Sequence, residues 1–142
     1  TDVRNFGAIA RTAECAGVDA IIIPSKNSVS VNADAIKTSA GALHTIPVCR
    51  EDNLTKSIKY LKNCGIHIAG ATEKGNRSYT KGTYDGPVCL IMGAEDRGIP
   101  QEHLALCDEW VKIPILGHIG SLNVSVAAGV LIYEIVKQRN EE

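Results

Sequence analysis

Ser121, Asn123 and Ser125 alternate with apolar residues in GSLNVSVAAG, at the entrance of an otherwise apolar run. Hydroxyl and amide groups placed there can do two things. They can satisfy the orphan N–H groups of a helix's first turn, and Ser121 alone would serve as that N-cap. They can also line the mouth of a ligand site, because three polar residues are more than a cap requires. The VAAGVLI that follows is apolar on nearly every face, as in a buried helix. Gly129 within it costs about 1 kcal/mol relative to alanine, which suggests another backbone passing close. Three glycine-containing loops add further candidates: ATEKGN, GAEDRGIP and LGHIGS. Each follows a strand-like run, and ligands of open α/β sheets bind at the carboxyl ends of strands. Glycine after a strand also serves turns alone. None of the loops matches G-x-x-x-x-G-K-[ST] or G-x-G-x-x-G, so a nucleotide-like ligand would not be held by its phosphates. Of the histidines, His67 lies in a strand and reads as structural, and His103 reads as a surface helix residue. His44 and His118 remain as acid or base candidates, and only His118 lies in one of these loops.

The elements that must position these groups alternate along the chain. NFGAIARTAECAG reads as a helix with Asn5 as N-cap and Gly17 as its stop. Val18 to Pro24 is a short run, apolar apart from Asp19, as in a buried parallel strand. NADAIKTSAG reads as a short helix ended by Gly41. EDNLTKSIKYLKNCG reads as a surface helix with Leu54, Ile58 and Leu61 on one face and Lys56, Lys59 and Lys62 toward water. IHIAGA and VCLIMG are strand-like. PQEHLALC is a short helix opened by Pro100. WVKIPI is a strand, and SLNVSVAAGVLIYEIVKQR is the last helix. This alternation predicts an α/β fold with a mainly parallel sheet and helices on both faces. The chain begins at a helix with no strand feeding it, so a first strand is expected upstream.

Composition narrows the classes. The 142 residues suit one domain, and 44% hydrophobic with 22% charged residues describes a folded protein rather than a disordered one. A net charge of −1 argues against binding nucleic acid by bulk charge alone. No apolar run reaches the roughly 18 residues of a membrane span, and TDVRNFGAIA lacks the basic lead and apolar core of a signal peptide. The five cysteines form no C-x-x-C pair. Neither a disulfide framework nor a metal site is therefore expected. Four of them fall in apolar or helical runs, where a small buried thiol is the expectation, in a reducing cytoplasm.

Three motifs, in this order, resemble those of the SpoU/TrmH family of SPOUT methyltransferases: NFGAIARTAECAG, LIMGAEDRGIP and IPILGHIGSLNVSVAAG. SVSVNADAIKTSAGALHTIPV between them resembles the branch that methylates a guanosine 2′-oxygen of 23S ribosomal RNA. The likeness spans nearly the whole chain. It implies residues 1–142 as a catalytic domain without its first strand or any N-terminal RNA-binding domain. It also implies a C-terminal trefoil knot, S-adenosylmethionine as cofactor, a homodimer, and RNA as substrate. Ribosomal RNA is the expected target and transfer RNA the nearest alternative. A non-catalytic RNA- or nucleotide-binding α/β module is a further alternative, which loss of Arg11, Glu95 or Asn123 would have favoured.

Carried over by motif, the catalytic residues of the family fall on Asn5, Arg11, Glu95, Ser121 and Asn123. Cofactor contacts fall on Thr72, Gly93, Ile113, Gly117 and Leu122. One departure is Asp96-Arg97 after the glutamate, where relatives more often carry a small residue first. The chemistry implied needs a ribose hydroxyl placed in line with an activated methyl group, and one proton managed. An arginine stays protonated. Arg11 is therefore expected to act electrostatically, on the developing alkoxide and a neighbouring phosphate. By the motif-free reading it is an exposed residue of an amphipathic helix. Glu95 is expected to orient Arg11 or Asn5, and would otherwise be a first-turn residue favoured by the helix dipole.

Overall fold

The computed structural model describes residues 3–25, 33–94 and 97–140. Along the chain run α1 (Val3–Cys15), β1 (Ile21–Pro24), α2 (Ala33–Thr38), β2 (Val48–Glu51), α3 (Leu54–Asn63) and β3 (His67–Ala71). They are followed by β4 (Arg77–Ser78), β5 (Val88–Met92), α4 (Gln101–Leu104), β6 (Glu109–Lys112) and α5 (Val124–Asn140). Short 3-10 turns lie at Ala42–His44 and Tyr79–Lys81. Every strand ladder among the described residues is parallel, as the alternation of elements predicts. The strands form two sheets, β1–β2 and β4–β6–β3–β5. β1 and β5 therefore each pair along one edge only among the described residues. β2 and β4 carry no sequence signal: VCRE has three exposed residues and no apolar run, and β4 is a pair of residues.

The core explains why α1 must be small along one side. Ala13 of α1 packs with Ile46, Ala128 and Ile132, and Ile21, Leu90 and Met92 close on them. One apolar cluster thus joins α1, α5, β1 and β5. Phe6 and Ala35 form a second cluster over Ile21, Ile23 and Val48. A Cβ on Gly129 would meet the Thr12 methyl at 3.7 Å. What passes Gly129 is a side chain of α1, not the backbone that the sequence suggests.

Gly7 sets where α2 crosses α1. A Cβ there would stand 2.7 Å from the Ala35 carbonyl oxygen and 2.8 Å from the Thr38 Cβ. Contacts that short cannot be absorbed by rotating a side chain. Overpacking costs typically about 1–3 kcal/mol, and two branches should exceed the lower figure. Gly7→Val is therefore expected to lower the stability measured by chemical denaturation by about 2 kcal/mol or more. An unchanged denaturation midpoint would contradict this crossing.

At the opposite end of the sheet from the glycine loops, charged groups fix the strands. The Ile68 N–H donates to Asp108 Oδ2 at 2.7 Å, and Lys62 Nζ lies 3.0 Å from Oδ1. The Ile68 hydrogen bond, followed by Lys62, holds the Asp108 carboxyl below the usual carboxylate range. Glu109 accepts from Arg77 Nη1 at 3.0 Å and the Thr83 N–H at 2.8 Å, with His67 Nε2 at 2.6 Å. His67 is thus a structural residue, as its place in a strand suggests.

Two expectations are corrected. His103 is no surface residue: it is 9% exposed, with Nε2 3.2 Å from the Thr55 hydroxyl, because α4 packs onto α3. Nor are the thiols buried: Cys15, Cys49 and Cys64 are exposed, and Cys89 and Cys107 half-buried. Apolar periodicity does not distinguish a helix's outer turn from its core face. α3 otherwise matches its pattern. Asn53 caps it by accepting from the Lys56 N–H at 3.1 Å, Ile58 is buried, and Lys56 and Lys59 face water.

Candidate active site

β6, β3 and β5 lie side by side and parallel, so their carboxyl ends share one edge. Ala71 is level with Met92 on one side and Val111 on the other. The next residues are Thr72 in the centre, Gly93 on one side and Lys112, the last residue of β6, on the other, with Ile113 one residue further on. The Thr72 N–H donates to the Val111 carbonyl at 2.9 Å, and its hydroxyl accepts from the Lys74 N–H at 3.2 Å. At Gly93 a Cβ would stand 2.4 Å from the backbone of Gly98. The loop it opens therefore folds back on itself, and the Gly98 N–H reaches the Ala94 carbonyl at 2.8 Å. Glu95 lies outside the described residues.

Gly117, Ser121 and Leu122 sit on the long segment between β6 and α5. Residues 114–122 make no hydrogen bond with any other described residue. Their backbone N–H and carbonyl groups are open, and Leu116 and Ile119 are 95% and 82% exposed. Leu122 is exposed too. An apolar loop with open backbone groups, beside the strand ends, suits a flat, polar-edged ring.

The helix mouth resolves the three polar residues. α5 begins at Val124, not at Ser121. Asn123 is the cap: its Oδ1 accepts from the Ser125 N–H at 2.9 Å and from the Ser125 hydroxyl at 2.6 Å. Two of the three polar residues therefore do helix-end chemistry. The Asn123 side-chain amide nitrogen and the exposed Ser121 hydroxyl have no partner among the described residues.

The other candidates lie on α1. Asn5 is its third residue, half-buried, and not its cap, because the helix already starts at Val3. Asn5 and Arg11 are separated by about a third of a turn around the helix, at 3.6 residues per turn. Arg11 is exposed and has no hydrogen bond or ion pair among the described residues. It opens onto a groove of about 360 Å³ between α1 and the segment after α2, lined by Ser39, Gly41 and Thr45 among others. Ser121 and Asn123 are not in that groove. The chain thus brings Thr72, Gly93 and Ile113 together, carries Gly117, Ser121, Leu122 and Asn123 on the adjoining segment, and holds Arg11 apart. Of the 39–45 segment the sequence reading named only His44, as an acid or base candidate, although SAGALHT, with two small residues beside a glycine, hinted at a tight turn.

Other chemistries find no footing. Burial, first of all, pushes the Cys107 thiol up to about 11, and burial also raises the Cys89 thiol. Neither supplies a thiolate near neutral pH. Among the described residues no cluster of His, Cys, Asp or Glu is arranged to hold a metal ion, and no helix is long and apolar enough to cross a membrane.

Comparison with known proteins supplies what the geometry does not name. Residues 1–133 match the model of the SpoU rRNA methylase family. The chain is 39% identical over 140 residues to the 23S rRNA (guanosine-2′-O-)-methyltransferase RlmB of Photorhabdus laumondii, covering 99% of this chain and 57% of that protein. It superposes with a TM-score of 0.92 on the crystal structure of the SpoU methyltransferase AviRb from Streptomyces viridochromogenes in complex with AdoMet. That match is 26% identical and covers all of this chain and 58% of AviRb. The A. aeolicus TrmH/SpoU tRNA modifying enzyme superposes with a TM-score of 0.89 at 28% identity, covering 99% of this chain and 72% of that one. The chain spans little more than half the length of the curated relatives it matches.

Proposed function

The chain belongs to the SpoU rRNA methylase family, and from that membership we propose that it is the catalytic domain of an S-adenosylmethionine-dependent RNA ribose 2′-O-methyltransferase. The observation that carries the reading is that Thr72 and Gly93 lie side by side at the strand ends, with Ile113 one residue past their level on the next strand, beside the open 114–122 loop. Motif residues far apart in sequence there meet at the carboxyl edge of a parallel sheet. When bound, S-adenosylmethionine supplies an already activated methyl group. The residues present fit it: Leu116, Ile119 and Leu122 offer apolar cover, and the open backbone groups offer partners for a purine's polar edge. In this reading Gly117 gives the loop its close approach. Arg11 offsets the charge that develops on the ribose oxygen and holds a neighbouring phosphate. The Asn123 amide and the Ser121 hydroxyl orient the ribose, and Glu95 orients Arg11 or Asn5.

The assignment extends to ribosomal RNA, as for the relative from Photorhabdus, rather than transfer RNA, and to the family's C-terminal trefoil knot. It extends to a cytoplasmic protein whose thiols stay free. A homodimer belongs to it as well. Val126 and Tyr133 are exposed at a spacing that puts them on one face of α5, and the segment leading into it bares Leu116, Ile119 and Leu122. A second copy covering that face would also bring another site to Arg11.

The test is calorimetry with S-adenosylmethionine, followed by methyl transfer to 23S rRNA and tRNA transcripts with nucleotide mapping. A micromolar Kd, near −8 kcal/mol, and a 2′-O-methyl mark on 23S rRNA are expected. No heat up to millimolar cofactor, together with no transfer by the full-length protein, would refute the enzyme. A mark on tRNA alone would refute the choice of ribosomal RNA.

A further inference from the structure

We propose that the groove between α1 and residues 39–45 seats one nucleotide of the substrate RNA beside the methylated one, with its phosphate on Arg11 and the Gly41 N–H. This rests on the methyltransferase reading above and assigns it a second contact surface, distinct from the residues at the strand ends. The groove measures about 360 Å³, at the lower end of the ~300–1,000 Å³ of small-molecule sites, which suits one nucleotide. Its walls are exposed at Arg11, Glu14, Cys15 and Thr45, so a strand can enter and leave.

The turn that forms one wall is built against the backbone's preference. Ala40, at φ 54°, is the one non-glycine residue with positive φ among those described, and Gly41 follows at 88°. A non-glycine residue there costs about 1–3 kcal/mol. The packing of α2 on α1 at Gly7 fixes the residues that lead into it, Thr38 and Ser39, and that crossing lies one helical turn along α1 from Arg11, which lines the groove. The strained turn has a chemical result. The Ala40 and Ala42 N–H groups are used, by the carbonyls of Lys37 and Ser39 at 3.1 and 3.2 Å. The Gly41 N–H has no partner among the described residues. The groove is thus lined by an open backbone N–H and by a guanidinium with no partner among the described residues, two donors that complement a phosphate oxygen. Lys37, exposed in the last turn of α2, adds a second cation beside the turn. Glu14 is the single carboxylate of the lining. It cannot face a phosphate, but it can accept from the amino or imino edge of a base. Phosphate on one side and base edge on the other is the demand of a single-stranded nucleotide.

Cys15 makes this testable within one molecule. It lines the groove and is exposed, and Cys49 and Cys64 are exposed elsewhere. Full-length protein would be treated with N-ethylmaleimide, with and without the rRNA or tRNA transcript it methylates, and each thiol's alkylation followed by peptide mass mapping. RNA should slow Cys15 by tenfold or more and leave Cys49 and Cys64 within twofold. A second arm fills the groove. Thr45→Trp should raise the KM for RNA by tenfold or more, with kcat within threefold and the Kd for S-adenosylmethionine unchanged. If its thermal melt shows it unfolded, Cys15→Trp fills the groove from the α1 side. RNA that is bound and methylated without shielding Cys15, or a folded groove-filling variant with unchanged KM, overturns the groove and leaves the methyltransferase standing. A protein that neither binds nor methylates RNA overturns both.

Discussion

Arg11→Ala is expected to lower single-turnover methyl transfer about a thousandfold while leaving the melting temperature of the protein unchanged. The two halves of that result come from different links. Arg11 is exposed and makes no hydrogen bond or ion pair with a described residue, so its removal deletes no folding interaction. In the transfer, however, a ribose hydroxyl must become an alkoxide in all but name. Removing one preorganised donor from a developing oxyanion typically costs about 10²–10³ in rate. Arg11 carries a full charge as well as donors, which places it at the upper end. Arg11→Lys separates charge from geometry. It keeps a cation but loses the planar fork that matches a phosphate, so its rate should fall between the two. The measurement is transfer to RNA by full-length protein at saturating cofactor, beside thermal melts of each variant. Wild-type rates in a folded Arg11→Ala would end the assignment and return Arg11 to the exposed face of an amphipathic helix.

The strand ends were legible in the sequence, and the reason is periodicity. Ile66 to Ala71 and Val88 to Met92 are largely apolar runs with a glycine next to one end, and strands of a parallel sheet read that way. Their pairing then sets Thr72 beside Gly93, and the pairing of β6 brings Ile113 to within one residue of that level. The groove beside Arg11 was not legible. It depends on Gly7, whose meaning is a contact with Ala35 and Thr38 some thirty residues on, and on the left-handed turn at Ala40, a residue type with no bias toward that conformation. β2 was invisible for a third reason: its strand is short, and three of its four residues face water. The helix mouth was half legible. Three polar residues announced a special place, but which of them capped the helix needed the start of α5, three residues beyond the expected one.

That cap leads to a sharper experiment than alanine. Asn123 has two ends with two jobs. Its Oδ1 accepts from the Ser125 N–H and hydroxyl and so holds the first turn of α5. Its amide nitrogen has no partner among the described residues and is what a ribose hydroxyl could receive. Asn123→Ala removes both ends, and loses about 1 kcal/mol of stability for the cap along with whatever it contributes to transfer. Asn123→Asp removes one. A carboxylate caps a helix as well as an amide does, and its charge is favoured at the N-terminus by the dipole, so the fold should be as stable or slightly more so. It offers no donor at neutral pH, and it sets a negative charge beside an oxygen that is becoming negative. The expected result is an unchanged or higher melting temperature with a rate lowered about 10²-fold or more, near 2.7 kcal/mol of barrier. A cap with no part in the chemistry predicts the reverse ranking: Asn123→Asp at the wild-type rate, and Asn123→Ala marginally less stable but equally fast once folded. Thermal melts and single-turnover rates on the two variants decide between them. A fast, stable Asn123→Asp would leave the polar mouth of α5 as helix-end chemistry alone.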